Sequence, residues 1–175
     1  MIISASRRTD IPAAHAKWMF RRLREGFALV RNPMNPRSVS RVSLAREDVD
    51  GIVFWTKNPA PMLEGLGALD GYAFYFQYTL TAYGRDAEPN LPGRAARLES
   101  FRRLAGALGP ERVLWRYDPI LLSARYPAEW HLESFRQLAE ALRGATEQVT
   151  ISFVDTYARN KKRLEALGAQ PIGEE

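Results

Sequence analysis

Cysteine is absent from this 175-residue sequence. That absence excludes a disulfide framework, a thiolate metal site and iron–sulfur ligation by these residues. Long apolar runs are missing as well, and none approaches the ~20 residues that a membrane-spanning helix needs. The opening Met1-Ile2-Ile3-Ser4-Ala5-Ser6 has neither the basic leader nor the long apolar stretch of a secretory signal. A cytoplasmic protein with no membrane partner is therefore expected. Gly-x-Gly-x-x-Gly and Gly-x-x-x-x-Gly-Lys-Ser/Thr do not occur, which removes the usual support for dinucleotide and P-loop readings. Gly-x-Ser-x-Gly is absent too, and with it the simplest hydrolase. Only two histidines occur, His15 and His131, both within expected helices. They read as packed or surface groups. No metal site is expected.

What is present is an alternation of short apolar runs with amphipathic segments. Ile2-Ile3-Ser4-Ala5, Gly51-Ile52-Val53-Phe54-Trp55, Tyr72 to Leu80, Arg112 to Arg116 and Val149 to Val154 read as strands. The second is apolar throughout, the pattern of a strand covered on both faces. Helices are expected from near Pro12 to Gly26, from Pro61 to Leu69, around Leu98–Leu108, from Ala128 to Arg143 and near Ala158 to Leu167. Leu132, Phe135, Leu138 and Leu142 form the expected apolar stripe of the fourth. Phe27–Val30 and Val39–Ser43 flank Asn32-Pro33-Met34-Asn35-Pro36 and read as an inserted, irregular hairpin. Five βα units argue for an α/β domain, 1–175, with parallel strands joined by right-handed crossovers. Two architectures fit: an open doubly wound sheet, or part of a (β/α)₈ barrel, whose full form takes about 250 residues.

Both architectures bind ligands at the carboxyl ends of the strands. Polar residues gather there: Ser4, Ser6, Arg7, Arg8, Thr9 and Asp10 after the first strand, and Thr56, Lys57 and Asn58 after the second. Gln77, Thr79 and Thr81 end the third, Arg116, Tyr117 and Asp118 the fourth, Ser152 and Asp155 the fifth. Lys57, Asp118 and Asp10 are the candidate catalytic groups, acting as acids or bases. Arg7, Arg8, Thr56, Asn58, Gln77, Thr79, Arg116, Ser152 and Asp155 are the candidate substrate contacts. Each has a plainer alternative. Arg7 and Arg8 form either an anion clamp, the preferred reading, or ion pairs with Asp10. Lys57 is an anion contact, a base, or a solvated lysine. Arg116 and Asp118, two apart on a strand, share a face and suit an internal ion pair as well as a substrate contact. For Asp155 the first reading is an N-cap of the last helix. The aromatic run Tyr72–Tyr78 reads as a buried strand before a base-stacking platform.

The net charge of +5 invites an anionic partner, although arginines interleaved with glutamates describe solvated helix faces equally well. An enzyme, or its N-terminal half, with a small anionic or nucleotide-like ligand is the leading expectation. A non-catalytic nucleic-acid-binding module is the alternative, and self-association through an uncovered apolar face is the third.

Several strings occur together: Ser4-Ala5-Ser6-Arg7-Arg8-Thr9-Asp10-Ile11-Pro12, Leu29-Val30-Arg31-Asn32-Pro33, Val39-Ser40-Arg41-Val42-Ser43-Leu44 and Phe54-Trp55-Thr56-Lys57-Asn58-Pro59. Phe76-Gln77-Tyr78-Thr79-Leu80-Thr81, Trp115-Arg116-Tyr117-Asp118-Pro119-Ile120 and Ile151-Ser152-Phe153-Val154-Asp155 follow in order. In these strings the chain resembles the bacterial family catalogued as domain of unknown function 1848. The resemblance implies a (β/α)-barrel protein of greater length, so that this chain corresponds to a partial, TIM-like barrel. It also implies a cysteine-rich C-terminal segment, similar to the iron–sulfur ligation of radical S-adenosylmethionine enzymes. The sequence departs from that pattern by having no cysteine. The cluster and S-adenosylmethionine are thus expected only of longer members, and the chain is expected to be a fragment or a shortened member.

Overall fold

The computed structural model describes residues 1–5, 8–158 and 160–169, and in them the apolar runs become seven strands. These are β1 (Ile2–Ala5), β2 (Phe27–Arg31), β3 (Val39–Ser43), β4 (Gly51–Thr56), β5 (Phe74–Thr79), β6 (Val113–Ile120) and β7 (Val149–Phe153). The helices are α1 (Ile11–Ala14), α2 (Ala16–Glu25), α3 (Ala60–Leu63), α4 (Arg94–Leu108), α5 (Ala128–Ala141) and α6 (Lys161–Ala166). A five-stranded parallel sheet has the order β1-β4-β5-β6-β7, and β2 and β3 form a separate antiparallel pair. Among the described residues no closed barrel forms, and β1 and β7 are the edges. Two compact units, 1–77 and 78–175, are described in turn.

In the first unit Ile52, Val53 and Phe54 of β4 are all buried, as an apolar run covered on both faces requires. The Phe54 ring stacks on Phe76 at 4.9 Å and meets Phe74 edge-on. The helix expected from Pro12 to Gly26 is interrupted. His15 leaves helical geometry (φ −134°, ψ 23°), its N–H closing α1 on the Ile11 carbonyl while its own carbonyl accepts the Met19 N–H of α2. Gly26 then ends α2 in the left-handed conformation, φ 74°. A second expected helix, Pro61 to Leu69, is also broken: α3 stops at Leu63 and a 3₁₀ turn follows over Leu66–Leu69. Gly65 lies against the Phe20 ring, where a Cβ would sit 2.3 Å from Cε2, so the break is where the turn closes on α2. The expected hairpin forms, with Leu29 opposite Arg41 and Arg31 opposite Val39.

In the second unit Tyr78 stacks on Phe101 of α4 at 4.9 Å and donates its hydroxyl to the Arg97 carbonyl. Arg97, on the first turn of α4, is buried and pairs with Glu88 at 3.0 Å. The Thr81 hydroxyl donates to the same Glu88 oxygen at 2.9 Å, which pins the loop between β5 and α4. The expected stripe on α5 holds at Phe135, Leu138 and Leu142 and fails only at its first member. Leu132 is 71% exposed while His131 is buried. The exchange is tolerated because both ring nitrogens of His131 find partners, Tyr117 Oη and the Leu121 carbonyl, each at 3.0 Å. Strand β6 runs on to Ile120, with an irregular register against β7 between Tyr117 and Ile120. Arg116, Tyr117 and Asp118 therefore lie within the strand and not after it. On β7, Val149, Ile151 and Phe153 share one face by their spacing, and all three are exposed.

Candidate functional site

Asp10 holds two loops at once. Its Oδ1 accepts the Ala13 N–H at 2.9 Å as the N-cap of α1, and its Oδ2 accepts the Lys57 N–H at 2.7 Å. The side-chain oxygens of the loop after β4 bind locally: Thr56 Oγ1 accepts from the Asn58 N–H and Asn58 Oδ1 from the Ala60 N–H. Asp10, Thr56 and Asn58 thus shape the segment that carries Lys57. Gln77 lies on β5, half-buried. Arg7, half of the expected anion clamp, lies outside the described residues, as does Ser6.

Arg8 lies beside a cleft of about 640 Å³ at the carboxyl end of β1. Ser4, Arg8, Thr9 and Ile11 line one side, His15 and Trp18 another, and Leu29, Val30 and Arg31 of β2 close it. Arg8 Nη1 donates to the Arg31 carbonyl at 2.7 Å, joining the β1 loop to the hairpin. Among the described lining residues there are two guanidinium groups, one imidazole and two hydroxyls, and no carboxylate. Sequence reasoning singled out Ser4, Arg8 and Thr9 here and passed over His15, Trp18 and Arg31. No sequence signal marked His15 and Trp18, because the break at His15 sets α2 apart from α1. The contribution of the hairpin had none either, because only the packing of β2 against α2 brings Arg31 to the cleft.

The second unit holds the other cluster. Arg116 Nε donates to Asp118 Oδ2 at 2.9 Å, its Nη2 reaches the same oxygen, and the Ser152 hydroxyl donates to Asp118 Oδ1. The expected internal Arg116–Asp118 pair is present, joined to β7 through Ser152. Thr79 is the last residue of β5. Asp155 does not cap α6, which begins after Asn160. It accepts instead from the Tyr157 hydroxyl at 3.0 Å, and its carbonyl from Asn160 Nδ2. Asn160 takes the N-cap position, five residues beyond Asp155.

His131 is the packed histidine of this unit. A carbonyl only accepts, so Nε2 carries the proton toward Leu121 and Nδ1 accepts from the Tyr117 hydroxyl. Burial holds the imidazole below its ordinary pKa, the Leu121 bond opposing the shift in part, while burial pushes the Tyr117 hydroxyl up to about 12. The neutral form of His131 is the folded form. Its contribution to stability is complete above the ordinary imidazole pKa and is lost as pH falls through the lower folded value. Urea unfolding at pH 8 and pH 5 is expected to show lower stability at pH 5, and His131→Gln to flatten that slope. An unaltered slope would assign it to other groups.

Asp86 and Tyr126 form a further polar contact. The Tyr126 hydroxyl reaches both Asp86 oxygens at 2.7 Å, and this bond chiefly lowers the carboxyl pKa, with Arg125 adding to it. No group of three metal-ligating side chains occurs among the described residues. With no cysteine in the sequence, the residues present do not fit an iron–sulfur cluster. No helix among the described residues is long and apolar enough to cross a membrane.

Residues 2–175 match the family model described as Domain of unknown function (DUF1848). The chain belongs to this family. No curated protein and no solved structure matches it. The DUF1848 match covers the hairpin as well as the βα units, so the β2 wall of the cleft is part of the family domain and not an addition outside it.

Proposed function

We propose that this DUF1848 chain binds a small anionic ligand with a planar or apolar body in the cleft at the carboxyl end of β1, as the ligand-binding part of a cytoplasmic enzyme. The observation that carries the reading is the cleft's lining, in which Arg8, Arg31 and His15 stand together with no described carboxylate to neutralise them. Guanidinium groups suit phosphate and carboxylate oxygens through charge-assisted bonds. Trp18, Leu29 and Val30 offer an apolar wall for the rest of the ligand, and a volume of about 640 Å³ suits a molecule the size of a mononucleotide. His15 offers the ligand an imidazole hydrogen-bond partner. Asp10 acts through backbone, positioning the loops around the site. Reading the five parallel strands as part of a (β/α) barrel supports the assignment, since such barrels take ligands at strand carboxyl ends. Cluster and S-adenosylmethionine chemistry belongs, in this reading, to longer members of the family.

Calorimetric titration with adenosine monophosphate and with inorganic phosphate tests it. Both are expected to bind at low ionic strength. Arg8→Ala weakens both by roughly tenfold or more, as loss of a charge-assisted bond predicts, with little change in melting temperature. Trp18→Ala weakens the nucleotide and spares the phosphate. Absence of binding by either probe, or affinities indifferent to Arg8→Ala, would sink the assignment.

A further inference from the structure

The hairpin does more than wall the cleft. Residues 27–43 contain Arg31, Arg37 and Arg41 and no acidic residue, and every residue from 31 to 41 is exposed. In the β2–β3 register Leu29 faces Arg41 and Arg31 faces Val39, so Arg31 and Arg41 share one face of the ribbon. The Arg41 guanidinium lies 4.3 Å over the Phe27 ring, which fixes it at the base. At the tip, Met34 is 90% exposed between two prolines. The tip is also pinned by hydrogen bonds: Asn32 Oδ1 accepts the Met34 N–H at 2.9 Å, Asn35 Oδ1 the Arg37 N–H at 3.2 Å, and the Asn32 N–H donates to the Ser38 carbonyl at 2.9 Å.

We infer that this hairpin is a contact surface for double-stranded nucleic acid, with Arg37 and Arg41 on backbone phosphates and Met34 as an apolar wedge between base steps. A ribbon with only positive charge complements a polyanion, and each arginine that neutralises a phosphate releases counterions. A two-stranded ribbon fits a duplex groove. Single apolar side chains such as Met serve as wedges in duplexes that arginine-bearing elements grip. A pre-formed tip loses little entropy on docking. Single-stranded nucleic acid is disfavoured, because stacking needs exposed aromatic faces and the ribbon's only ring, Phe27, is covered by Arg41. An anionic membrane is disfavoured as well. One exposed methionine at the tip buries too little apolar surface to anchor a protein, whereas one suffices for a wedge.

The test is fluorescence anisotropy with a labelled duplex of about 20 base pairs, across a salt series. A second duplex carries 2-aminopurine at a central step to report unstacking. The wild-type chain is expected to bind with an affinity that falls steeply as salt rises and to raise 2-aminopurine fluorescence. Arg37→Ala lowers the magnitude of the log–log salt slope by about 1. Met34→Ala abolishes the 2-aminopurine signal and weakens binding roughly tenfold. Both positions are exposed, and circular dichroism confirms folding of each variant. Arg8→Ala leaves duplex binding within about twofold of wild type, so this proposal and the cleft assignment fail separately. The inference is overturned by no duplex binding at low salt, by a slope indifferent to Arg37→Ala, by a silent 2-aminopurine, or by binding to phosphatidylglycerol vesicles without binding to the duplex.

Discussion

Glu88→Ala is expected to lower the unfolding free energy by about 3–5 kcal/mol, the usual cost of leaving one member of a buried ion pair without the other. Glu88 and Arg97 are 8% and 3% exposed at their side chains, and the carboxylate also accepts the Thr81 hydroxyl. Removing it strands a buried guanidinium on the first turn of α4. The charge, not the lost contact, sets the size of the effect. Arg97 Nε is buried without a partner, so the pair as it stands is incompletely satisfied. A double replacement, Glu88→Leu with Arg97→Met, is therefore expected to recover most of the loss, because removing both charges removes the desolvation cost of each. Urea unfolding of the two variants at neutral pH decides the matter. A double variant as unstable as Glu88→Ala would show that packing, and not uncompensated charge, is responsible.

Asp10→Ala is expected to cost about 2–3 kcal/mol, because two backbone donors lose a charged acceptor together. One is the Ala13 N–H at the start of α1 and the other is the Lys57 N–H at the exit of β4. Asp10→Asn retains a single acceptor oxygen and is expected to lose roughly half as much. Thermal unfolding monitored by circular dichroism reads both variants. Asp10→Ala with wild-type stability would mean that solvent replaces both bonds, and would reopen a purely chemical role for this carboxylate.

Much of the sheet was legible because its physics is local. An apolar run such as Ile52–Trp55 has nowhere to go but a covered strand, and Gly26 announces the end of α2 by its tolerance of the left-handed conformation. The misreadings came where a partner distant in sequence decides. Nothing near Gly65 tells that the Phe20 ring will press against it and split the expected helix in two. Leu132 looked like a core residue by periodicity, yet His131 is inside because Tyr117 and the Leu121 carbonyl satisfy its ring. The apolar run was read as ending at Arg116, whereas β6 continues to Ile120 through an irregular stretch against β7.

The candidate site divides the same way. Arg116 and Asp118 advertise a pair through their spacing, and the pair exists. Asp10 stood out as a carboxylate at a strand end, but its tie to the Lys57 amide spans 47 positions and has no sequence signature. Glu88 escaped notice because it lies in a loop, and only the fold of that loop returns it to Arg97. His15 was set aside as a helical histidine, and its exposure follows from the break at that residue, which periodicity cannot foresee.

The double grip of Asp10 has a mechanical consequence. Because one rigid, two-pronged group clasps both the segment leaving β1 and the segment leaving β4, neither can drift without dragging the other. An occupant held by Arg8 is therefore expected to slow hydrogen exchange at the Lys57 N–H as well, without touching that lysine.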